Sequence, residues 1–226
     1  MRELSNSKFF VVFFLPFLLG GLTILSFSPY NLTFINFLTF PILLFLISLV
    51  KKKTQSTYIK KKSNRYFFYL GCSFGFGFFL FGNYWISISL THDESFKSLI
   101  PFATILIPLF LSLFFGSTIL IVGRYYENKL YFILLFSLVF ALLEFLRGYI
   151  FTGFPWNLLS YSWSWSLETI QILSLIGTYS LSLISVTFFS IPFLFFQKYK
   201  LKRNYLVLLF FISIFVSNYL YGLNKA

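Results

Sequence analysis

Long apolar runs separated by short polar segments are the main pattern along this chain of 226 residues. An apolar run of about 18 or more residues is long enough for a helix that crosses a bilayer core of about 30 Å. The pattern therefore predicts an all-α membrane protein, a bundle of about seven transmembrane helices in one transmembrane domain over residues 1–226. With charged residues and Pro or Asn as boundaries, the predicted spans are about 9–27, 32–50, 66–90, 99–122, 130–150, 168–196 and 204–222.

The connections between the spans are short, with one exception. The segment 51–65, "KKKTQSTYIKKKSNR", is basic and polar throughout, and we expect a mobile cytoplasmic loop there. The first apolar run follows a basic start, as in a signal peptide, but it carries Pro16 and has no small-residue cleavage site. We therefore interpret it as an uncleaved first span.

Composition supports the membrane class, because 58% of the residues are hydrophobic and only 11% are charged, against about a quarter in soluble domains. The net charge of +12 arises between the apolar runs, where it indicates topology and argues against a nucleic-acid partner. A cytoplasmic N-terminus places 15 of the 18 basic residues inside, and an odd number of spans then places the C-terminus in the periplasm. The 15 are Arg2, Lys8, Lys51–Lys53, Lys60–Lys62, Arg65, Arg124, Lys129, Lys198, Lys200, Lys202 and Arg203.

Several kinds of site are excluded by residue counts and motifs. The single cysteine, Cys72, and the single histidine, His92, exclude an intrachain disulfide and a Cys/His zinc cluster, and we expect neither a metal nor a cofactor. No GxSxG, HExxH or phosphate-binding loop is present. Cys72 lies in an apolar span without a basic partner, which argues against a nucleophilic role.

Glu144 and Arg147 lie inside the fifth apolar run, toward its outer end. Three residues apart on a helix, they share a face and can pair. Charged side chains within a span are costly, so both must face protein or a wet cavity. Two interpretations stay open: Arg147 binds an anionic headgroup that Glu144 orients, or the two form an ion pair that fixes the helix to the turn after it.

That turn, "TGFPWNLLSYSWSW", carries Phe154, Pro155 and Trp156. Pro155 ends helical geometry, and aromatic residues concentrate at membrane–water interfaces. The segment is therefore either an interfacial loop or a lining for acyl chains and a docking surface. Near the outer end of the third span, Tyr84 and Trp85 precede His92, which is either a general base beside an acid or merely solvated.

Small residues follow helical spacing in two spans. Gly71, Gly75 and Gly82 lie on one side of the third span, and Gly177 precedes Ser180, Ser182 and Ser185 in the sixth. Small residues let helices approach closely, so we predict helix packing at these positions.

The order of three motifs resembles the membrane domain of apolipoprotein N-acyltransferases: "GFGFFLFGNYWISISLTHDESF", "ALLEFLRGYIFTGFPWNLLSYSW" and "LIGTYSLSLISV". The string around Glu144, Arg147 and Trp156 is its most specific part. Ser160 and Ser180 depart from the family's usual glycines. The resemblance implies the bacterial inner membrane, with a phospholipid acyl donor and a diacylated lipoprotein, whose N-terminal cysteine receives the acyl chain, as substrates.

By resemblance, the chemistry belongs to a periplasmic nitrilase-like domain with a Glu-Lys-Cys triad, none of which maps onto this chain. We therefore expect the membrane half of an N-acyltransferase, either truncated or split, and in the split case its partner is a separate nitrilase-like chain. The alternative is a non-catalytic membrane scaffold or anchor for another enzyme. A small transporter ranks last, because Glu144 is the only acid inside a span and no internal repeat is visible.

Overall fold

A computed structural model describes residues 9–55, 60–92, 94–127, 130–150, 153–196 and 201–225, and the described residues are helical or in turns, without a strand. They form two compact units, Met1–Ile24 with Leu46–Tyr126 and Leu25–Phe45 with Glu127–Ala226. The helices are α1 (Leu15–Ile24), α2 (Asn36–Gln55), α3 (Lys60–Gly82), α4 (Tyr84–Ser89), α5 (Ile100–Arg124), α6 (Leu130–Tyr149), α7 (Leu167–Ile170), α8 (Leu173–Ile176), α9 (Thr178–Ser190) and α10 (Leu201–Leu223). A π-helical turn, Phe10–Phe14, precedes α1, and shorter 3-10 turns flank other helices.

Five helical segments are long and apolar enough to cross a membrane, which agrees with an all-helical membrane protein. They are Thr33–Lys52, Lys97–Arg124, Leu130–Tyr149, Thr178–Phe196 and Leu201–Leu223. The predicted span 9–27 contains a shorter apolar helix, and 66–90 contains α3, which ends at Gly82, followed by α4. The total of seven spans stays a prediction.

Two predicted boundaries differ from the structure. The sixth span was expected from residue 168, but α7 and α8 are short helices and the long segment starts at Thr178. Gly177 causes this break, because its φ of +76° does not belong to a right-handed helix. The predicted loop 51–65 is too long, since α2 continues to Gln55 and α3 begins at Lys60. Lysine has good helix propensity, and lysines in the last turn of α2 also complement the helix dipole.

The first unit is built around α3, which packs against α1 and α5. Gly71 and Gly75 allow the approach to α5, because a Cβ at either position would overlap α5 atoms around Phe115. Lys51 donates hydrogen bonds to the carbonyls of Gly123 and Arg124, at 3.5 and 2.9 Å, and so satisfies the C-terminal end of α5.

The second unit has a core of stacked and edge-to-face phenylalanines. Phe40 of α2 contacts Phe136 of α6 and Phe189 of α9, with ring centroids 6.2 and 6.0 Å apart. By contrast, α10 exposes most of its apolar side chains, such as Leu209 and Phe210. A long helix with so much exposed apolar surface is typical of a lipid-facing span.

Candidate functional site

The last turn of α6 carries the two charged residues that the sequence singled out. Glu144 and Arg147 are 5% and 3% exposed, so both side chains lie inside the second unit. Arg147 Nη2 is 4.0 Å from Glu144 Oε1, which is a long ion pair. Burial without other polar partners would make such a pair costly, so the remaining contacts decide its role.

Both charges bind the backbone of the segment that follows α6. Arg147 Nη1 donates to the carbonyl of Trp156 at 2.9 Å, and the N–H of Leu159 donates to Glu144 Oε1 at 3.0 Å. Leu159 begins a 3-10 turn, Leu159–Trp163, where a carboxylate is favourable because backbone N–H groups are otherwise unpaired. The pair therefore fixes the segment at two points three residues apart.

We call residues 153–166 the Pro155 loop. Its entry is a tight turn in which Gly153 has φ +84° and the N–H of Phe154 donates to the carbonyl of Arg147 at 2.9 Å. Gly148 is also restricted, because a Cβ there would overlap the Tyr179 hydroxyl of α9. The "RG" of the motif thus combines an anchor for the loop with a close contact between α6 and α9.

The buried side of the Pro155 loop is hydrogen-bonded to α9. The N–H of Ser160 donates to Ser182 Oγ at 3.1 Å, and the Trp163 indole N–H donates to Ser185 Oγ at 2.9 Å. Ser182 also lies beside the Glu144 carboxylate. The serines of the sixth predicted span therefore act as acceptors for the loop.

A second set of contacts joins the end of the loop to the segment before α2. Thr33 Oγ1 donates to the carbonyl of Ser162 at 2.6 Å and accepts from the Trp165 indole N–H at 2.7 Å. With one hydroxyl serving as donor and acceptor, Thr33 fixes the loop more than a hundred residues away in sequence.

The tip of the loop is accessible, unlike its base. Pro155 is exposed, Trp156 is 54% exposed and Phe154 is half-buried. Arg147 binds the backbone carbonyl of Trp156, so the indole ring is displayed from an anchored main chain. An aromatic tip on a fixed base suits contact with lipid or with a protein substrate at an interface.

Two buried oxygen atoms at the base of the loop have unused capacity to accept a hydrogen bond. Glu144 Oε2 is buried and has no hydrogen-bond partner among the residues that the structure describes. The Ser160 hydroxyl, whose backbone N–H joins the same network, is likewise buried without one in the described part of the chain. Each of these two oxygens can therefore still accept a hydrogen bond.

The other candidate residues lie in the first unit. Tyr84 and Trp85 are exposed on α4, and His92 is exposed in the 3-10 turn that follows. Within the second unit, the structure brings Glu144, Arg147, Phe154, Pro155 and Trp156 together, whereas Tyr84, Trp85 and His92 belong to the first unit.

One of the predicted packing glycines has a different explanation. Gly177 has no neighbour within 4 Å of a Cβ, so the packing interpretation is wrong there and the positive φ explains the residue. Gly82 is the last residue of α3, and its packing role stays a prediction. Gly71 and Gly75, as described above, do lie against α5.

Sequence reasoning missed Thr33, Gly148 and Tyr179. Gly148 directly follows Arg147 within the motif, so its small size was a usable signal. Thr33 gave no signal, because its partners are distant in sequence and a threonine beside a span is ordinary.

Known proteins extend the resemblance over most of the chain. The family described as "Apolipoprotein N-acyltransferase N-terminal domain" matches residues 19–191. Relatives named apolipoprotein N-acyltransferase include one from Brucella melitensis, 34% identical over 78% of this chain and 33% of its own length. The relative from Rickettsia typhi is 39% identical over 75% of this chain and 32% of its own length. The relative from Rickettsia bellii is 43% identical over 52% of this chain and 23% of its own length.

The chain spans about a third of the length of the curated relatives it matches. The match includes α6, the Pro155 loop and α9, which are the elements that build the site. The chain therefore belongs to the apolipoprotein N-acyltransferase N-terminal domain family.

Proposed function

We propose that this chain is the membrane part of an apolipoprotein N-acyltransferase. In the family reaction an acyl chain leaves a phospholipid ester and forms an amide with the N-terminal cysteine of a diacylated lipoprotein, and the lysophospholipid oxygen takes up a proton. The nucleophile and base would come from a nitrilase-like domain, on the same or a separate chain. The observation that carries the proposal is the Pro155 loop, anchored at Glu144 and Arg147 and exposed at Trp156.

We further propose seven spans in the bacterial inner membrane, with the N-terminus in the cytoplasm. The charge distribution supports this orientation, since Lys and Arg are retained on the inner side. The same topology puts the end of α6 and the Pro155 loop near the periplasmic surface. Fusions of a reporter enzyme after residues 55, 127 and 225 test this topology. A reporter that is active only in the periplasm should be active in the fusion after residue 225 and inactive in the other two.

The role of the loop in this proposal is to contact substrates at the outer leaflet. The two charged side chains at the foot of the loop, Glu144 and Arg147, both bind backbone groups. They therefore position the loop and do not react themselves. Phe154, Pro155 and Trp156 then form the apolar surface that meets an acyl chain or the lipoprotein's lipid anchor. Tyr84, Trp85 and His92 remain candidates for contacts at the same membrane face.

The experiment uses cells depleted of their own N-acyltransferase. They express this chain together with a nitrilase-like domain, fused after α10 or as a separate chain, and the lipoprotein N-terminus is measured by mass spectrometry. Triacylated lipoprotein is expected with both chains and not with either alone. Diacylated lipoprotein in every combination, with both chains present in the membrane, would contradict the proposal and leave the scaffold alternative.

A further inference from the structure

We infer that the first unit binds one acyl chain of an anionic phospholipid in an apolar groove between the start of the chain, α3 and α5, with the headgroup at Arg65. The groove has a volume of about 460 Å³. Residues that line it include Phe13 in the π-helical turn, Phe17 on α1, Tyr69, Ser73 and Phe76 on α3, and Leu109 on α5.

Aromatic rings form the walls of this groove. Phe13 stacks on Tyr69 with ring centroids 5.8 Å apart, and Phe17 lies 6.0 Å from Phe76. The π-helical turn Phe10–Phe14 supplies one of these walls, and π turns of this kind are frequent at functional sites. The walls are thus held by contacts between the helices and do not depend on an occupant.

The lining offers almost nothing to a polar ligand. Ser112, which also lines the groove, donates its hydroxyl to the Leu109 carbonyl of its own helix at 2.6 Å. An apolar cavity does not hold water well, and an empty one loses dispersion contacts along its whole lining. In a bilayer, the apolar molecules that can fill the space are lipid acyl chains.

The polar end of the same helix face specifies the headgroup. Arg65, Tyr69, Ser73 and Phe76 recur at helical spacing on α3, so they lie along one side. Arg65 is exposed one turn before Tyr69, and the distance from Arg65 to Phe76 along the axis is about 16 Å. A guanidinium binds a phosphate through two parallel hydrogen bonds, and an apolar slot of this length below it complements a phospholipid.

This inference rests on the membrane location given under the proposed function, but its readout is lipid labelling and not acylation. Failure of one is therefore distinguishable from failure of the other. Under the proposed topology, the Arg65 end of α3 belongs to the cytoplasmic leaflet.

The test places the purified chain in lipid nanodiscs that contain equal amounts of phosphatidylglycerol and phosphatidylcholine. Each lipid carries, in separate samples, a photoreactive diazirine at the end of one acyl chain, and labelled peptides are identified by mass spectrometry. We expect labels between residues 69 and 76 at least fivefold above those on the exposed face of α10. Phosphatidylglycerol should label there about fivefold more than phosphatidylcholine, the preference that one basic residue at an anionic surface produces.

Variants separate the groove from ordinary boundary lipid. Ser73→Phe fills the groove and should reduce labelling at least fivefold, whereas Ser213→Phe, on the exposed face of α10, should not. Leu109→Trp fills the groove from α5, where the side chain is 50% exposed, and serves if Ser73→Phe fails to fold. Equal labelling of the groove and α10, or unchanged labelling in a folded filling variant, would overturn the inference.

The headgroup has its own pair of variants. Arg65→Gln should abolish the preference for phosphatidylglycerol while acyl-chain labelling persists. Arg203→Gln, a matched exposed arginine at the start of α10, should leave the preference intact. Equal labelling by both lipids in the unaltered chain would overturn the assignment of an anionic headgroup.

Discussion

The buried pair of Glu144 and Arg147 predicts a definite order of stability among three variants. Glu144→Ala removes both the acceptor of the Leu159 N–H and the carboxylate that faces the guanidinium. Glu144→Gln keeps an oxygen for the N–H but loses the charge. Glu144→Gln with Arg147→Met removes both charges and keeps the volume, but it also removes the donor to the Trp156 carbonyl. An uncompensated buried charge costs about 3–5 kcal/mol and an unpaired buried carbonyl about 1–3 kcal/mol, so we still expect the double variant to be more stable than Glu144→Gln alone.

The magnitude follows from burial. Removing one partner of a buried ion pair costs about 3–5 kcal/mol, and leaving a buried N–H without an acceptor costs about 1–3 kcal/mol. The two costs overlap at one residue and do not simply add, so we expect about 3–5 kcal/mol for Glu144→Ala. For a chain of this length, with roughly 2–4 °C per kcal/mol, the melting temperature should fall by about 6–20 °C.

Tryptophan fluorescence during thermal unfolding in detergent is the assay. Three of the four tryptophans, Trp156, Trp163 and Trp165, lie in the Pro155 loop, so the signal reports mainly on the second unit. Glu94→Ala is the matched control, because its carboxylate pairs with Lys97 on the surface and should matter little.

An unchanged melting temperature for Glu144→Ala would refute the reasoning about the anchor. A double variant that is less stable than Glu144→Gln would refute it as well. Replacing the Arg147 guanidinium, which lacks its carboxylate partner in Glu144→Gln, should remove the cost of a buried unpaired charge. Either result would mean that the charges are solvated and that the loop is held by its other contacts.

Two further predictions concern the same unit and the same assay. Ser185→Ala removes the acceptor of the Trp163 indole N–H and should cost about 1–3 kcal/mol, whereas Ser213→Ala, whose hydroxyl is exposed, should change nothing measurable. Gly148→Ala inserts a methyl group against the Tyr179 hydroxyl and should cost about 1–3 kcal/mol. Tyr179→Phe should recover part of that loss, and strict additivity of the two changes would argue against the contact.

Much of the fold followed from hydropathy, because long apolar helices leave a strong signal. The fifth and seventh predicted spans, 130–150 and 204–222, lie within three residues of α6 and α10 at either end. The errors concern helix boundaries that depend on local backbone conformation. Gly177 interrupts the sixth predicted span because its φ is positive. Lysines at the end of α2 and the start of α3 are helical, although the sequence predicted a loop there.

The site was predicted in part. A carboxylate and a guanidinium three residues apart in an apolar run had to be buried together, which is why Glu144 and Arg147 could be identified. Their partners could not, because a backbone carbonyl at Trp156 and an N–H at Leu159 carry no mark in the sequence. The sequence alone therefore could not decide whether Glu144 and Arg147 bind a headgroup or anchor the turn. Their hydrogen bonds to the backbone of the Pro155 loop favour the anchoring role.

The most direct test of the proposed function compares Trp156→Ala and Glu144→Ala in the acylation experiment in which this chain and a nitrilase-like domain are expressed together. Trp156→Ala removes an exposed ring but keeps the carbonyl that Arg147 binds, so membrane abundance should persist while triacylated lipoprotein is lost. Glu144→Ala should lower abundance and acylation together, and Phe210→Ala, an exposed ring on α10, should lower neither. Full acylation by Trp156→Ala at normal abundance would contradict the claim that the Pro155 loop meets the substrates.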